Sequence, residues 1–150
     1  MEIKEYSGKY KDDFIKLNSA WIVKYFNALE EEDYRVFGNI EGLIGGGAMI
    51  FFAVEKEVVL ATCLIKPVGA GVWEICKLAA NEEVPHKGAG SAVLGACMEY
   101  AKKHGAEKVV IETNSALKPA VHIYEKYGFK SVPIEKTDFA RVDLVMEYVF

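Results

Sequence analysis

The chain has 150 residues, 51% of them hydrophobic and 27% charged, and a formal net charge of −4. That size and balance suit one folded domain spanning residues 1–150 and exclude a disordered or low-complexity chain. No basic surplus points to nucleic acid, no apolar run reaches membrane-spanning length, and residues 1–5 hold no apolar signal core, so a cytoplasmic location is expected.

Residues 1–6 suit a short edge strand. Residues 10–26 predict an amphipathic helix with Phe14, Leu17, Trp21 and Tyr25 on one face, widened by Ile22 and Phe26. Residues 30–37 read as a second, short helix, and residues 40–44 as one more turn stopped by Gly45-Gly46-Gly47. That triple glycine feeds a strand, so it is a helix stop and not a phosphate loop. Residues 48–54 and 58–65 are apolar, β-rich runs joined by Glu55-Lys56-Glu57, a hairpin signal. Residues 66–71 hold Pro67, Gly69 and Gly71 and read as a turn, and residues 72–80 as the third strand of the meander.

Residues 88–104 predict a helix ended by Gly105, and Val109-Val110-Ile111 centres a short apolar strand. Strand, helix, strand in this order implies a parallel pair with a right-handed crossover. Pro119 suits the first turn of a helix over residues 118–127, closed by Gly128 with Phe129 packing back. Residues 130–133 and 142–148 predict a final antiparallel pair, whose exposed edge offers a pairing surface for a homodimer. The pattern is α/β.

The most informative stretch is Val84-Pro85-His86-Lys87-Gly88-Ala89-Gly90-Ser91-Ala92-Val93-Leu94. Two glycines one residue apart, between a strand and a helix, aim several backbone N–H groups at one small volume, where the helix dipole adds to them. That is an anion trap suited to a pyrophosphate. A dinucleotide fingerprint would need a third glycine where Val93 stands, and no P-loop pattern is present. On these residues alone, phosphate binding and a plain turn cap are equal readings. The cysteines Cys63, Cys76 and Cys97 form no C-x-x-C pair, and with His86, His104 and His122 they make no zinc pattern. They read as buried thiols of a reducing compartment, and no metal is expected.

Residues 84–129 as a whole resemble the coenzyme-A-binding core of the GNAT acetyltransferase superfamily. The matching pieces are Lys87-Gly88-Ala89-Gly90-Ser91-Ala92-Val93-Leu94, Ala101-Lys102-Lys103-His104-Gly105-Ala106, Ile111-Glu112-Thr113-Asn114 and the run from Pro119 to Phe129. Upstream, Trp73-Glu74-Ile75-Cys76-Lys77-Leu78-Ala79-Ala80 looks like the superfamily's central strand. The order of elements matches along the whole chain, most specifically in the central and C-terminal half. One departure is Pro85, which stands first in the pattern [Q/R]-x-x-G-x-[G/A]; with no N–H of its own it stiffens the loop.

The resemblance implies an acyl-CoA N-acyltransferase (GNAT) fold, a mixed, twisted sheet with helices on both faces. It implies N-acetyltransferase activity, in which acetyl passes from acetyl-CoA by direct attack of a primary amine of a small molecule or peptide. Backbone N–H groups of His86, Lys87, Gly88, Ala89, Gly90 and Ser91 are expected to hold the pyrophosphate. Leu78 and Ala80 would pair the pantetheine arm like an added strand. A bulge near Leu78-Ala79 would splay that strand from its neighbour, and an N–H there would polarise the thioester carbonyl. Asn114 would bond the pantetheine arm; an Asx-turn or helix cap is the competing reading.

Tyr124 falls in the family position beside the coenzyme A sulfur. A free thiol has a pKa of ~8.5 and a phenol ~10, so a positioned phenol can donate to the departing thiolate; the alternative is an aromatic core residue. Glu74 is the candidate general base, directly or through water, with a strand carboxylate paired to Lys77 or another base as the competing reading and Glu112 as a weaker rival. Alternation puts Glu74 and Cys76 on one strand face and Trp73 and Ile75 on the other. Cys76 is not expected to be a nucleophile, because no histidine is placed to activate it. Trp21, Tyr25 and Phe26 either lie over the acceptor pocket or pack in the core. Lys118 either meets a cofactor phosphate or is a solvated helix-start residue. A non-catalytic acyl-CoA-binding or sensor module of the same fold is the rival function.

Overall fold

In the computed structural model, which describes residues 1–135, 137 and 140–150, the elements follow in this order. They are β1 (Glu2–Glu5), a 3-10 turn (Gly8–Tyr10), α1 (Lys11–Phe26), α2 (Glu31–Phe37), α3 (Ile40–Gly45), β2 (Met49–Glu55), β3 (Val58–Gly69) and β4 (Val72–Ala80). Then come α4 (Ala89–Lys103), β5 (Lys108–Thr113), α5 (Lys118–Tyr127), β6 (Lys130–Val132) and β7 (Leu144–Val149). Among the described residues the strands form one seven-stranded sheet, ordered β1-β2-β3-β4-β5-β7-β6. Only β4 and β5, joined through α4, run parallel; every other pair is antiparallel. Among the described residues no helix is long and apolar enough to cross a membrane.

Helices cover both sheet faces, and the alternation of strand side chains divides the core accordingly. Ile50, Phe52 and Leu64 pack with Phe14, Phe37 and Ile40 on the α1–α3 side. Phe51, Cys63, Ile65, Trp73 and Ile75 pack with Val93, Leu94, Cys97 and Met98 of α4 on the other. Strands buried on both faces read as continuous apolar runs, as β2 and β3 do. Their hairpin turns through Lys56 and Glu57, both at positive φ (50° and 69°), with Glu55 opposite Val58; these are the signs of a primed two-residue turn.

Two local expectations need correction. The buried stripe of α1 is Phe14, Asn18 and Ile22, and Tyr25 is exposed. Asn18 tolerates that position because its Nδ2 donates to the Phe14 carbonyl at 2.9 Å and its Oδ1 accepts from Trp21 Nε1 at 2.9 Å. Residues 66–69 belong to β3, not to a turn. The β2 ladder stops at Met49 opposite Ile65, so Pro67 lies beyond it and faces no β2 partner. The final antiparallel pair forms as expected, with β7 between β5 and β6, so β6 is the edge strand at that end.

The feature that positions the site is a break in β4. It pairs with β5 only from Val72 to Ile75, opposite Lys108 to Ile111, and the strands then part. Against β3, Leu64 stands opposite Cys76 and Thr62 opposite Ala79, so Lys77 and Leu78 together oppose Cys63. Lys77 takes a φ of 58°. This is a β-bulge, one residue earlier than the sequence suggests, and it turns β4 away from β5.

Candidate active site

Where β4 and β5 part, a cleft opens. Among its lining residues are Trp21, Glu74, Cys76, Leu78, Asn114 and Tyr124. It measures about 610 Å³ including space open to solvent, and a hollow of about 600 Å³ adjoins it. The hollow shares Trp21, Leu78, Leu117 and Ala120 with the cleft and runs past Ala79 and Ala80 to Gly90, at the start of α4. One continuous passage therefore links the splayed strands to the glycine turn.

At that turn Gly88 is the N-cap of α4, with φ of 91°, a left-handed conformation glycine adopts without steric cost. Gly90 is needed for a different reason: a Cβ there would lie 2.9 Å from Cδ1 of Ile123 on α5. The Ala89 amide donates to the His86 carbonyl at 3.2 Å, so it is engaged within the turn. The amides of His86, Lys87, Gly88, Gly90 and Ser91 have no hydrogen-bond partner among the described residues. Residues 82–88 are exposed, and the Nε2 of His86 lies 3.6 Å from Glu55. Exposed, unpaired donors at a helix N-terminus form a cradle for an anion.

Glu74 is 18% exposed in its side chain. Burial raises its pKa above the ordinary carboxylate value; Lys66, 3.6 Å away, pulls it back, and Glu112 pushes it up again. The Cys76 thiol donates to Glu74 Oε1 at 3.4 Å. Burial pushes that thiol well above its usual range, with the Glu74 carboxylate adding to the effect. The basic partner of Glu74 is thus Lys66 and not Lys77, because the bulge turns Lys77 elsewhere. Glu112 lines the same cleft, and its buried Oε1 has no hydrogen-bond partner among the described residues.

Tyr124 is 4% exposed and packs with the α4-side core. Burial pushes its phenol well above the usual range, so the oxygen keeps its proton. Its hydroxyl has no hydrogen-bond partner among the described residues, while the residue lines the cleft. Asn114 is occupied internally: its Nδ2 donates to the Arg141 carbonyl at 2.7 Å and its Oδ1 accepts the Ala116 amide at 2.8 Å. The second contact is an Asx-turn, the competing reading of this residue. Trp21 and Phe26 are half-buried beside the cleft and outside both core clusters, Tyr25 lines the hollow, and Lys118 is exposed.

Sequence reasoning missed a buried ionic cluster at the cleft. Asp33, in the first turn of α2, accepts from Lys77 Nζ and from both Nη atoms of Arg141 at 2.7 Å. The Asp33 and Lys77 side chains are 0% and 3% exposed, and that of Arg141 10%. Burial alone would raise the Asp33 pKa, but these hydrogen bonds hold it down to about 2. Arg141 also lies 5.5 Å from the centroid of the Trp21 ring. No local spacing ties positions 33, 77 and 141 together. The one available signal was a lysine on the otherwise apolar face of a strand, since a buried lysine needs a counter-charge.

A profile of the acetyltransferase (GNAT) family matches residues 14–129. Among curated proteins none matches the chain by sequence. Solved structures resemble it over nearly its full length at low identity. An acetyltransferase of the GNAT family from Staphylococcus aureus Mu50 has a TM-score of 0.86 and 16% identity, covering 99% of this chain and 98% of that one. The PaiA N-acetyltransferase of Thermoplasma acidophilum, solved in complex with coenzyme A, has a TM-score of 0.76 and 19% identity, covering 100% of both chains. YncA of Salmonella typhimurium, solved with its cofactor acetyl-CoA, has a TM-score of 0.80 and 13% identity, covering 99% and 93%. The match over residues 14–129, on a sheet that splits between β4 and β5 as described, establishes that this chain belongs to the GNAT acetyltransferase family.

Proposed function

We propose that the protein transfers acetyl from acetyl-CoA to a primary amine of a small molecule or peptide, by direct attack and without an acetylated enzyme. The observation that carries this reading is the passage itself. A half-buried carboxylate (Glu74) and an unpartnered phenol (Tyr124) line one cleft, which runs on to the unpaired amides at the start of α4.

Acetyl-CoA supplies the acetyl group as an activated thioester. The unpaired amides of His86, Lys87, Gly88, Gly90 and Ser91 bind its pyrophosphate, aided by the α4 dipole. The exposed edge of β4 around Leu78 and Ala80 holds the pantetheine arm, and a backbone N–H near Leu78-Ala79 donates to the thioester oxygen. Glu74, directly or through water, takes the proton that the ammonium group of the acceptor must lose before attack. A raised carboxylate pKa suits it to that task near neutral pH. The Tyr124 hydroxyl donates its proton toward the sulfur as the carbon–sulfur bond breaks. Cys76 does not carry the acetyl group, because a thiol held protonated by burial is a poor nucleophile.

Titration calorimetry with acetyl-CoA, then thiol release measured over a panel of amines, tests the reading. Binding followed by amine-dependent release is expected. Binding without release for any amine would point to a non-catalytic sensor of the same fold, and absence of binding would refute the proposal.

A further inference from the structure

We propose that Asp33 is a positioning residue for the transfer reaction: its carboxylate, buried behind the cleft lining, ties the cofactor-gripping wall of the cleft to the opposite wall. The inference rests on the reading that the β4 edge at Leu78 grips acetyl-CoA. Oδ1 of Asp33 accepts from Lys77 Nζ and, at 2.7 Å, from Arg141 Nη2; Oδ2 accepts from Arg141 Nη1 at 2.7 Å and from the Glu30 amide at 2.8 Å. Every acceptor direction of this buried side chain points at one of the two walls or at its own helix start.

The two cations belong to different walls. Lys77 is the bulge residue, immediately before Leu78, at a φ of 58°. A residue with a side chain keeps such a conformation only where its surroundings hold it there. The grip of Asp33 on Lys77 supplies that hold, so the carboxylate maintains the bulge that keeps β4 away from β5. Arg141 belongs to the segment before β7. Its guanidinium faces the rings of Trp21 and Phe26 at 5.5 and 6.0 Å, and its carbonyl accepts from Asn114 at the end of β5. Glu30 strengthens the same wall by accepting the Ala140 amide at 2.9 Å and meeting Arg141 at 3.3 Å. Neutralising Asp33 removes the carboxylate that two largely buried cations share, which unsettles both walls together.

The test uses three variants of the full chain, Asp33→Asn, Lys77→Met and Arg141→Met, each checked for folding by circular dichroism. Coenzyme A titration calorimetry reports on the bulge, and tryptophan emission, with Trp73 common to all samples, reports on Arg141 over Trp21. Asp33→Asn is expected to weaken coenzyme A binding by about tenfold, and also to shift the emission. Lys77→Met should reproduce the affinity loss without the emission change. Arg141→Met should reproduce the emission change with coenzyme A affinity kept within about twofold. A purely structural role would lower the melting temperature without this split. If Asp33→Asn does not fold, the two cation variants decide by the same split. Coenzyme A affinity unchanged in folded Asp33→Asn would overturn the role of Asp33 while leaving the acetyl-transfer reading intact. Failure of the unaltered chain to bind coenzyme A would overturn both.

Discussion

Tyr124→Phe separates chemistry from architecture because the change removes one oxygen and nothing else. The ring stays at a site 4% exposed, with its neighbour Phe129 at 6.1 Å between centroids. The hydroxyl has no partner among the described residues, so no protein hydrogen bond is lost. Taking an unpaired polar atom out of a buried site changes stability by about 0–1 kcal/mol in favour of phenylalanine. For a chain of this length that is a rise in melting temperature of at most about 2–4 °C. Turnover should move the other way. Loss of a general acid slows a reaction by roughly 10²–10⁴. At 1.36 kcal/mol per factor of ten, that raises the barrier by about 3–5 kcal/mol. The assay is thiol release at saturating acetyl-CoA, with calorimetry showing that cofactor affinity is kept. Unchanged turnover would remove Tyr124 from its role. A melting temperature lowered by many degrees would mean that the hydroxyl is bonded after all.

Glu74 works as a base only when ionised, so kcat/KM should fall as pH drops through a pKa raised above the ordinary carboxylate value by burial. Glu74→Gln should abolish that acid limb, and a limb that survives in this variant would assign it to another group. Cys76→Ala should keep turnover within about tenfold of the unaltered protein, and intact mass after mixing with acetyl-CoA should show no added acetyl group. A stable acetyl adduct would overturn direct attack. Glu57→Gly relieves a φ of 69° in the β2–β3 turn and, among the described residues, gives up one exposed ion pair, to Lys9 at 3.6 Å. A gain of about 1 kcal/mol is expected, read as a rise of roughly 2–4 °C in thermal melts. A lower melting temperature would refute the strain argument.

Much of the architecture was readable because it is written in short-range patterns. The runs of apolar residues, the glycine stops and Pro119 place α4, α5, β2 and β4 within a residue or two of their observed bounds, whereas β3 runs four residues past its expected end. The strand–helix–strand order anticipates the parallel pairing of β4 with β5. Glu74, Leu78, Asn114 and Tyr124, named from the sequence, line one cleft in the structure. The Asx-turn of Asn114 was a readable alternative, but its bond to the Arg141 carbonyl, 27 residues away, was not.

Periodicity and turn chemistry act over a few residues, so the chain alone carries the order and kind of its elements and the glycine turn that opens α4. The left-handed bulge at Lys77, the insertion of β7 beside β5 and the meeting of Asp33 with partners 44 and 108 residues away exist only once the sheet has assembled. Such features have no local signature, because buried charges and strained backbone are selected by the neighbours that packing brings to them.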